Sequence, residues 1–539
     1  MRGSRQFLCL SVLIVAACAT ATRSGGTTPY TITADSLRQR LEDFAADSML
    51  GRGWLNGGHD RATAYLAREL GKIGLEPTGE HGGWFQDFHM YSRRVAPESR
   101  LVVDESTLVV GRDFKVFSFG RGQPRSMESA QVVYGGIVGD TSTQITSAAA
   151  ASRVVLLAVP ADMTAERVYR NVGYGPTSRF GRAAGVVIAS YDYLSPAQRA
   201  PSFAVGMLDS TTPPADAGPS TVLMSKRAAT LLLGHSLEGV APGTLGRIIR
   251  DHIRVDERDV VTRNVIAILP GADPALARTF VALGAHSDHL GSLAVALDHD
   301  SVRAAAMTRG RDDDSATAMK VAALRHRLAE GHLARRDSIL NGADDDGSGS
   351  VALLEVARSL MSEQRPKRST LFVWHAAEED GLVGSNWFVE HPTIPLDSIV
   401  AQVNLDMVGR GGASDIVGGG PRYLQVLGTS RRSLDLWPTI EDANLALPAP
   451  FRIDTADTQG VYCRSDHWNY ARFGIPIAFL TTGSHADYHA VTDEASYIDY
   501  AKLAAVTRFT VVIAQALGNR PTRLATTGPR PDPRAFCRG

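Results

Sequence analysis

Histidine and carboxylate side chains recur in five short stretches in the second half of this 539-residue chain. They are His286-Ser287-Asp288-His289, Asp344-Asp345-Asp346, His375 with Glu378-Glu379-Asp380, Asp406, and His489. Singly, each has an ordinary explanation. A lone histidine at a strand end is commonly hydrogen-bonded into the structure, paired acids after a strand favour the positive end of a helix dipole, and aspartates beside glycines make turns. Gathered in one place they ask for more, because carboxylates held close together repel unless a cation neutralises them. Imidazole and carboxylate donors suit zinc, with manganese or cobalt as substitutes, whereas an all-oxygen set would suit magnesium or calcium. Two histidines and three carboxylates exceed what one catalytic zinc with an open position needs. They fit two ions, roughly 3.5–4 Å apart, sharing one carboxylate and a water.

The elements that must position these groups alternate from Asn264 onward as strand and helix, the pattern of a mainly parallel sheet. Strands are expected at 265–269, 280–284, 370–374, 399–405 and 476–480, and helices at 350–362, 385–390 and 500–517. The strand at 280 runs into His286, the one at 370 through His375 into Glu378-Glu379, the one at 399 into Asp406, and the one at 476 leads by a glycine-containing loop to His489. In an open parallel sheet the carboxyl ends form one rim, where ligands bind. Asp345 reaches the same rim from the glycine-rich turn 342–349. Residues 292–338 interrupt the alternation with a charged segment whose Val321, Leu324 and Leu328 have helical spacing, so a surface helical excursion is expected.

Ahead of this region, helices are expected from about Asp35 and over 60–73, separated by the turns Gly51-Arg52-Gly53 and Gly57-Gly58. Residues 121–250 read as a separate β-rich module, with strands at 154–159 and 185–189 and a helix at 224–233. At the start, Arg2 and Arg5 precede an apolar run over 7–17, the length of a signal-peptide core and too short to span a bilayer. The run ends Val15-Ala16-Ala17-Cys18, which resembles a bacterial lipobox. The expectation is therefore a signal peptide over 1–17, an exported body with a possible lipid anchor at Cys18, and a flexible tether over 18–30. No later segment is expected to cross a membrane. Beyond Cys9 and Cys18 only Cys463 and Cys537 remain, too few for a cysteine-rich metal site; a bridge between them is one open possibility. The last residues, 521–539, read as a Pro- and Arg-rich tail. With 56 Lys+Arg against 57 Asp+Glu, the chain has no positive excess with which to displace counterions from nucleic acid.

The segments GAHSDHLG (284–291), NGADDDGSGS (341–350), HAAEEDGLVGS (375–385), VNLDMVG (403–409) and DYHAVTD (487–493) together resemble the dizinc aminopeptidase family, whose clan also holds glutamate carboxypeptidase and the glutaminyl cyclases. The likeness covers residues 31–120 and 255–520, including MLGRGWLNGGHDRATAYLARELGKIGLEP (49–77). The module at 121–250 resembles the protease-associated domain inserted in such peptidases. The resemblance implies an α/β fold with a mixed, mainly parallel central sheet flanked by helices. It implies two zinc ions, one held by His286 and Asp406, the other by Glu379 and His489, with Asp345 bridging. Glu378 becomes the general base acting on a metal-bridging hydroxide, and Asp288 accepts a hydrogen bond from the His286 ring. Tyr462 falls where some relatives carry a tyrosine near the scissile carbonyl. His289, His375 and His467 are expected to support the structure. Two departures stand out: the excursion lengthens the gap from His286 to Asp345, where it could shape substrate access, and Gly347 replaces a common alanine.

These readings converge on a zinc exopeptidase acting on peptides, an aminopeptidase first. A carboxypeptidase or dipeptidase on the same metal pair would need an arginine cluster for a substrate carboxylate, and a non-catalytic receptor-like relative would lack donors that are all present here. A glutaminyl cyclase, typically with one zinc, is disfavoured by the full set. Gly234-His235-Ser236-Leu237-Glu238 lacks the second glycine of a serine nucleophile elbow, and no H-E-x-x-H or phosphate-binding loop occurs. Oligomeric state is not encoded in any pattern found.

Overall fold

The computed structural model describes residues 30–118, 125–160, 162–164, 178–194, 199, 203–207, 218–308, 315–329, 335–412, 414–416, 418–534 and 537. The expected signal peptide, Cys18 and the tether as far as residue 29 lie outside the described residues.

Eight strands carry the argument: β1 (Phe85–Val95), β2 (Val255–Leu269), β3 (Phe280–His286), β4 (Ser369–His375), β5 (Ile399–Leu405), β6 (Tyr423–Leu427), β7 (Arg452–Asp454) and β8 (Ile477–Thr481). Across the sheet they lie in the order β7-β6-β8-β5-β3-β4-β2-β1, with Phe203–Met207 added beside β1. The central four, β8-β5-β3-β4, are parallel. Antiparallel β2 and β1 flank them on one side and antiparallel β6 on the other. Parallel strands need both faces covered, and every residue of β3, β4 and β5 is buried. The helices Ala34–Phe44, Gly58–Ile73, Gly349–Ser362 and Tyr500–Gly518 cover one face through Leu37, Leu66, Leu354, Val506 and Phe509. Val383–Glu390 and His467–Arg472 cover the other, through Phe388 and Tyr470 packed on Leu371 and Ile477. A capping box between Thr33 and Ser36 starts the first helix. Tyr500–Gly518 has the length and mean hydropathy, 1.3, of a membrane span, which the sequence reading did not find after the leader; 67% of it is buried in this core.

A second, eight-stranded sheet lies between β1 and β2 in the chain and has its own apolar layers on both faces. Its strands include Arg100–Val103, Ser106–Val109 and Phe114–Ser118. The β-rich unit thus opens at Arg100 rather than at 121, because these strands pair with Leu245–His252 and Ser220–Met224 and not with the main sheet. The expected helix at 224–233 begins at Lys226, capped by Ser225, while Met224 ends a strand.

The excursion is an antiparallel ribbon, Ser292–Asp298 with Arg336–Ile339, carrying the helices His299–Thr308 and Ser315–Ala329; residues 311–314 lie outside the described residues. Cys463 and Cys537 form a disulfide, S–S 1.99 Å, tying the tail to the segment that follows β7.

Candidate metal centre

The carboxyl ends of β3, β4, β5 and β8 deliver the predicted donors to one edge. His286, the last residue of β3, places Nε2 3.0 Å from Asp345 Oδ1 and 3.7 Å from Asp406 Oδ1. On the other side, His489 Nε2 lies 2.9 Å from Glu379 Oε2 and 3.2 Å from Asp345 Oδ2. The two oxygens of Asp345 therefore face two donor groups, one per side. All five expected donors meet.

The Asp triplet divides its labour. Asp346 Oδ2 accepts the His286 amide at 3.0 Å, and its Oδ1 accepts the amides of Gly349 (2.9 Å) and Met407 (3.3 Å). Asp344 Oδ1 accepts the Gly409 amide at 2.6 Å, and its Oδ2 lies 3.2 Å from His485 Nε2. With Asp346 spent on backbone amides and Asp344 on an amide and His485, the middle carboxylate of the triplet is the one left to face the site. The Asp345–Asp346 peptide is cis, and the Asp493 carboxylate receives the amides of Asp344 and Asp345. At Gly347 an added methyl would come within 2.9 Å of the tip of the Leu41 side chain, which would have to shift.

Three residues lie elsewhere than the sequence reading put them. Asp288 does not use its carboxylate on the His286 ring: Nδ1 donates to the Asp288 backbone carbonyl at 3.2 Å, while the carboxylate stands 3.8 Å off. That carboxylate instead accepts the Glu378 amide at 3.1 Å, fixing the turn that carries both glutamates. His289 is more than support, since its Nδ1 lies 2.5 Å from Glu379 Oε1 and 3.8 Å from Asp345 Oδ2, within donor range of the second group. Tyr462 is buried among His467, Trp468 and Arg431. The tyrosine at the cleft is Tyr488, its ring stacked on His489 at 3.7 Å. His375 and His467 are structural as expected, the first between Asp466 and Tyr470, the second on the Tyr462 carbonyl.

Arg52 and His59 had escaped attention. Arg52 is fully buried and donates to the carbonyls of Ser287, Asn341, Gly342 and Asp345, clamping the loops of His286 and Asp345 together. Its turn depends on Gly51 (φ +60°), where a Cβ would collide with the Gly291 and Leu340 carbonyls. The GRG turn was the visible signal, read only as punctuation. His59 Nδ1 lies 3.0 Å from the Thr262 hydroxyl and Nε2 2.9 Å from Ser287 Oγ. Ser287 Oγ already donates to the His375 carbonyl, so His59 donates from Nε2 and is neutral. Burial, with Arg263 and Arg52 nearby, pushes its pKa down to about 3. The unfolded chain takes up a proton near the ordinary 6.5 that the folded chain refuses, so stability falls as pH drops from about 6.5 toward 3, by about 1.4 kcal/mol per pH unit. His59→Gln is expected to have a shallower loss of unfolding free energy between pH 6 and pH 4, measured by urea denaturation. An unchanged slope refutes the assignment.

The electrostatics are those of a cation site. Oδ2 of Asp345, Oε1 of Glu379 and both ring nitrogens of His289 are buried and crowd one another without a well-aligned hydrogen bond, an arrangement that shared coordination of an ion would satisfy. Burial opposes charge on His286, but Glu378, Asp345 and Asp406 outweigh it and hold its pKa well above the ordinary value. Burial likewise opposes charge on His489, yet Asp345 and Glu379 push it up to about 10. Burial, reinforced by Asp406, Asp466 and Glu379, holds Glu378 well above the ordinary carboxylate range. The residues fit divalent ions. Beside them an open cleft is lined by Asp345, Glu378 and Asp406 together with Met407, Val461, Phe479, Arg464 and Tyr488.

Sheet, edge and donors together define an α/β protein built to hold divalent ions. Residues 264–514 match peptidase family M28. Among curated proteins it is similar to a probable leucine aminopeptidase of Arthroderma benhamiae, 28% identical over 33% of this chain and 48% of the relative. It is also similar to leupeptin-inactivating enzyme 1 of Streptomyces exfoliatus, 33% identical over 31% of this chain and 34% of that one. The chain thus spans half or less of the length of these relatives. Among solved structures it shares the fold of an aminopeptidase from Aneurinibacillus sp. strain AM-1 (TM-score 0.54, 17% identity, 93% of this chain and 97% of that one). The zinc aminopeptidase of Bacillus subtilis is similar too (TM-score 0.52, 16% identity, 91% and 96%).

Proposed function

We propose that the protein is a zinc-dependent aminopeptidase that removes N-terminal residues from peptides. The observation that carries this reading is the Asp345 carboxylate shared between two donor groups, with Glu378 beside it in the lining of the cleft. His286 and Asp406 would hold one zinc, Glu379 and His489 the other, and Asp345 both, with His289 beside Glu379. When bound, the two ions polarise the scissile carbonyl and make water acidic enough to attack near neutral pH. Glu378 takes the proton from the attacking water and returns it to the leaving amine. Burial raises the proton affinity of this carboxylate, a shift that bound ions would oppose. Ser465 Oγ donates to Asp406 Oδ2 at 2.7 Å and is itself held by Asn404, so the donor carboxylate keeps one orientation.

The choice of peptide end follows from charge. The cleft is lined by three carboxylates, whose charge two bound ions would offset, and by one arginine, Arg464, fewer than the cluster that a substrate carboxylate calls for. Met407, Val461 and Phe479 favour an apolar first side chain. Matched peptides with free, N-acetylated and C-amidated ends are the test: acetylation is expected to abolish cleavage and amidation to leave it. Cleavage that survives acetylation rejects the aminopeptidase reading. Loss on amidation alone favours the second reading, a carboxypeptidase or dipeptidase in which Arg464 receives the substrate carboxylate.

An exported, lipid-anchored protein is also proposed, and the Cys463–Cys537 disulfide supports an oxidising compartment. Mass analysis of the mature N-terminus tests acylation at Cys18.

A further inference from the structure

The excursion 292–338 grips the loop that delivers His489. Two residues before that histidine, Asp487 is 1% exposed. Its Oδ2 pairs with Arg303 from the excursion helix His299–Thr308. On the same oxygen sits Arg410, 3.2 Å away, from the loop after Asp406. Thr492 Oγ1 donates to Oδ1 at 2.8 Å, closing the turn on itself. Within that turn Ala490 N–H donates to the Asp487 carbonyl at 3.0 Å, and Tyr488 stacks on His489, whose φ is +57°. A second grip lies farther along. Arg335 Nη1 donates to Glu494 Oε2 at 3.1 Å and His299 Nε2 stands 3.5 Å from the same carboxylate. The Arg303 guanidinium lies 4.0 Å above the Tyr497 ring, and the His299 ring stacks on Tyr497.

We propose that the excursion is a brace for the His489 turn, with Arg303 as its positioning residue, acting through Asp487 to hold His489 against Glu379 and Asp345. His489 is the donor that most needs such help. The other donors sit at a strand end or in a turn bound directly to one, whereas His489 comes from a long loop after β8 and its side chain is 34% exposed. Arg410 alone would tether the Asp487 carboxylate from one side; Arg303 fixes it from a second element. Outer partners of this kind change metal affinity by about 10–100-fold when removed. The inference rests on the metal-dependent reading above.

The experiment uses the full zinc-loaded enzyme and follows zinc transfer to a chromophoric chelator. Parent enzyme is expected to release two ions per chain slowly. In Arg303→Met one of the two is expected to leave at least tenfold faster, with kcat lowered and KM changed less than twofold. Arg303→Lys, which keeps the charge on Asp487, is expected to restore the slow release in part. Arg325→Ala removes an exposed ion pair to Asp298 within the same excursion and is expected to match the parent. If Arg303→Met does not fold, Arg335→Ala loosens the other grip and is expected to shift release in the same direction. Release of both ions at the parental rate in a folded Arg303→Met enzyme, or an Arg325→Ala enzyme as impaired as Arg303→Met, overturns the proposal alone. A parent enzyme that binds no zinc overturns the metal reading and this one with it.

Discussion

Replacing Glu378 by alanine is expected to leave two zinc ions per chain and to lower kcat by about 10²–10⁴-fold, the usual worth of a positioned general base. The two effects separate because Glu378 and Glu379 are neighbours with different surroundings. Glu379 turns toward His489 and His289, whereas Glu378 makes no ion pair among the described residues and lines the cleft. Its amide, bound to Asp288, holds the turn whatever side chain it carries. The measurements are metal content by elemental analysis and single-turnover rates on a free-amine peptide. A Glu378→Ala enzyme as fast as the parent removes this residue from proton transfer; one that has lost its zinc moves it to the metal site.

Replacing Asp345 by alanine is expected to cost both the metal and the reaction. Among the described residues its carboxylate is the only group placed against both donor clusters, and the acids around His286 and His489 would lose the ion that balances them. Zinc content is expected to fall below one ion per chain, activity by more than about 10³-fold, and zinc to stop raising the melting temperature, since a ligand stabilises only the state that binds it. Two ions and full protection from heat in Asp345→Ala would show that the carboxylate does not bridge.

How much of this was legible follows from the kind of information each residue carries. The donors could be read because a parallel sheet converts chain positions far apart into one edge: His286, Asp406 and the His375–Glu379 stretch follow their strands directly. Spacing says less about direction. Tyr462 and Tyr488 both lie near donor motifs, and only packing decides that the first ring turns into the core while the second lines the cleft. Asp288 is two residues from His286, yet the backbone turn offers the ring a carbonyl before it offers the carboxylate. Arg52 was hidden because a buried arginine is recognised by the carbonyls it meets, and those belong to loops more than 200 residues away. The boundary of the second sheet was misplaced for the same reason. Short strands between 100 and 118 name no partner by themselves, and pairing assigned them to Leu245–His252 and Ser220–Met224.

The pairing of β1 with β2 sets an order of events during biosynthesis. These strands are neighbours in the finished sheet but are separated by the whole second unit in the chain. The second unit emerges whole before β2 does and has its own apolar layers, so it can close while β1 and the two helices before it still wait. Arg52 and His59 belong to that waiting portion, and their carbonyl and hydroxyl partners are made later still. A nascent polypeptide therefore carries β1 with its β2 edge open until the second unit is complete, and among the described strands Phe203–Met207 alone is available to pair with it in that time. Chaperone demand, and the danger of edge-to-edge association, should be concentrated in that interval.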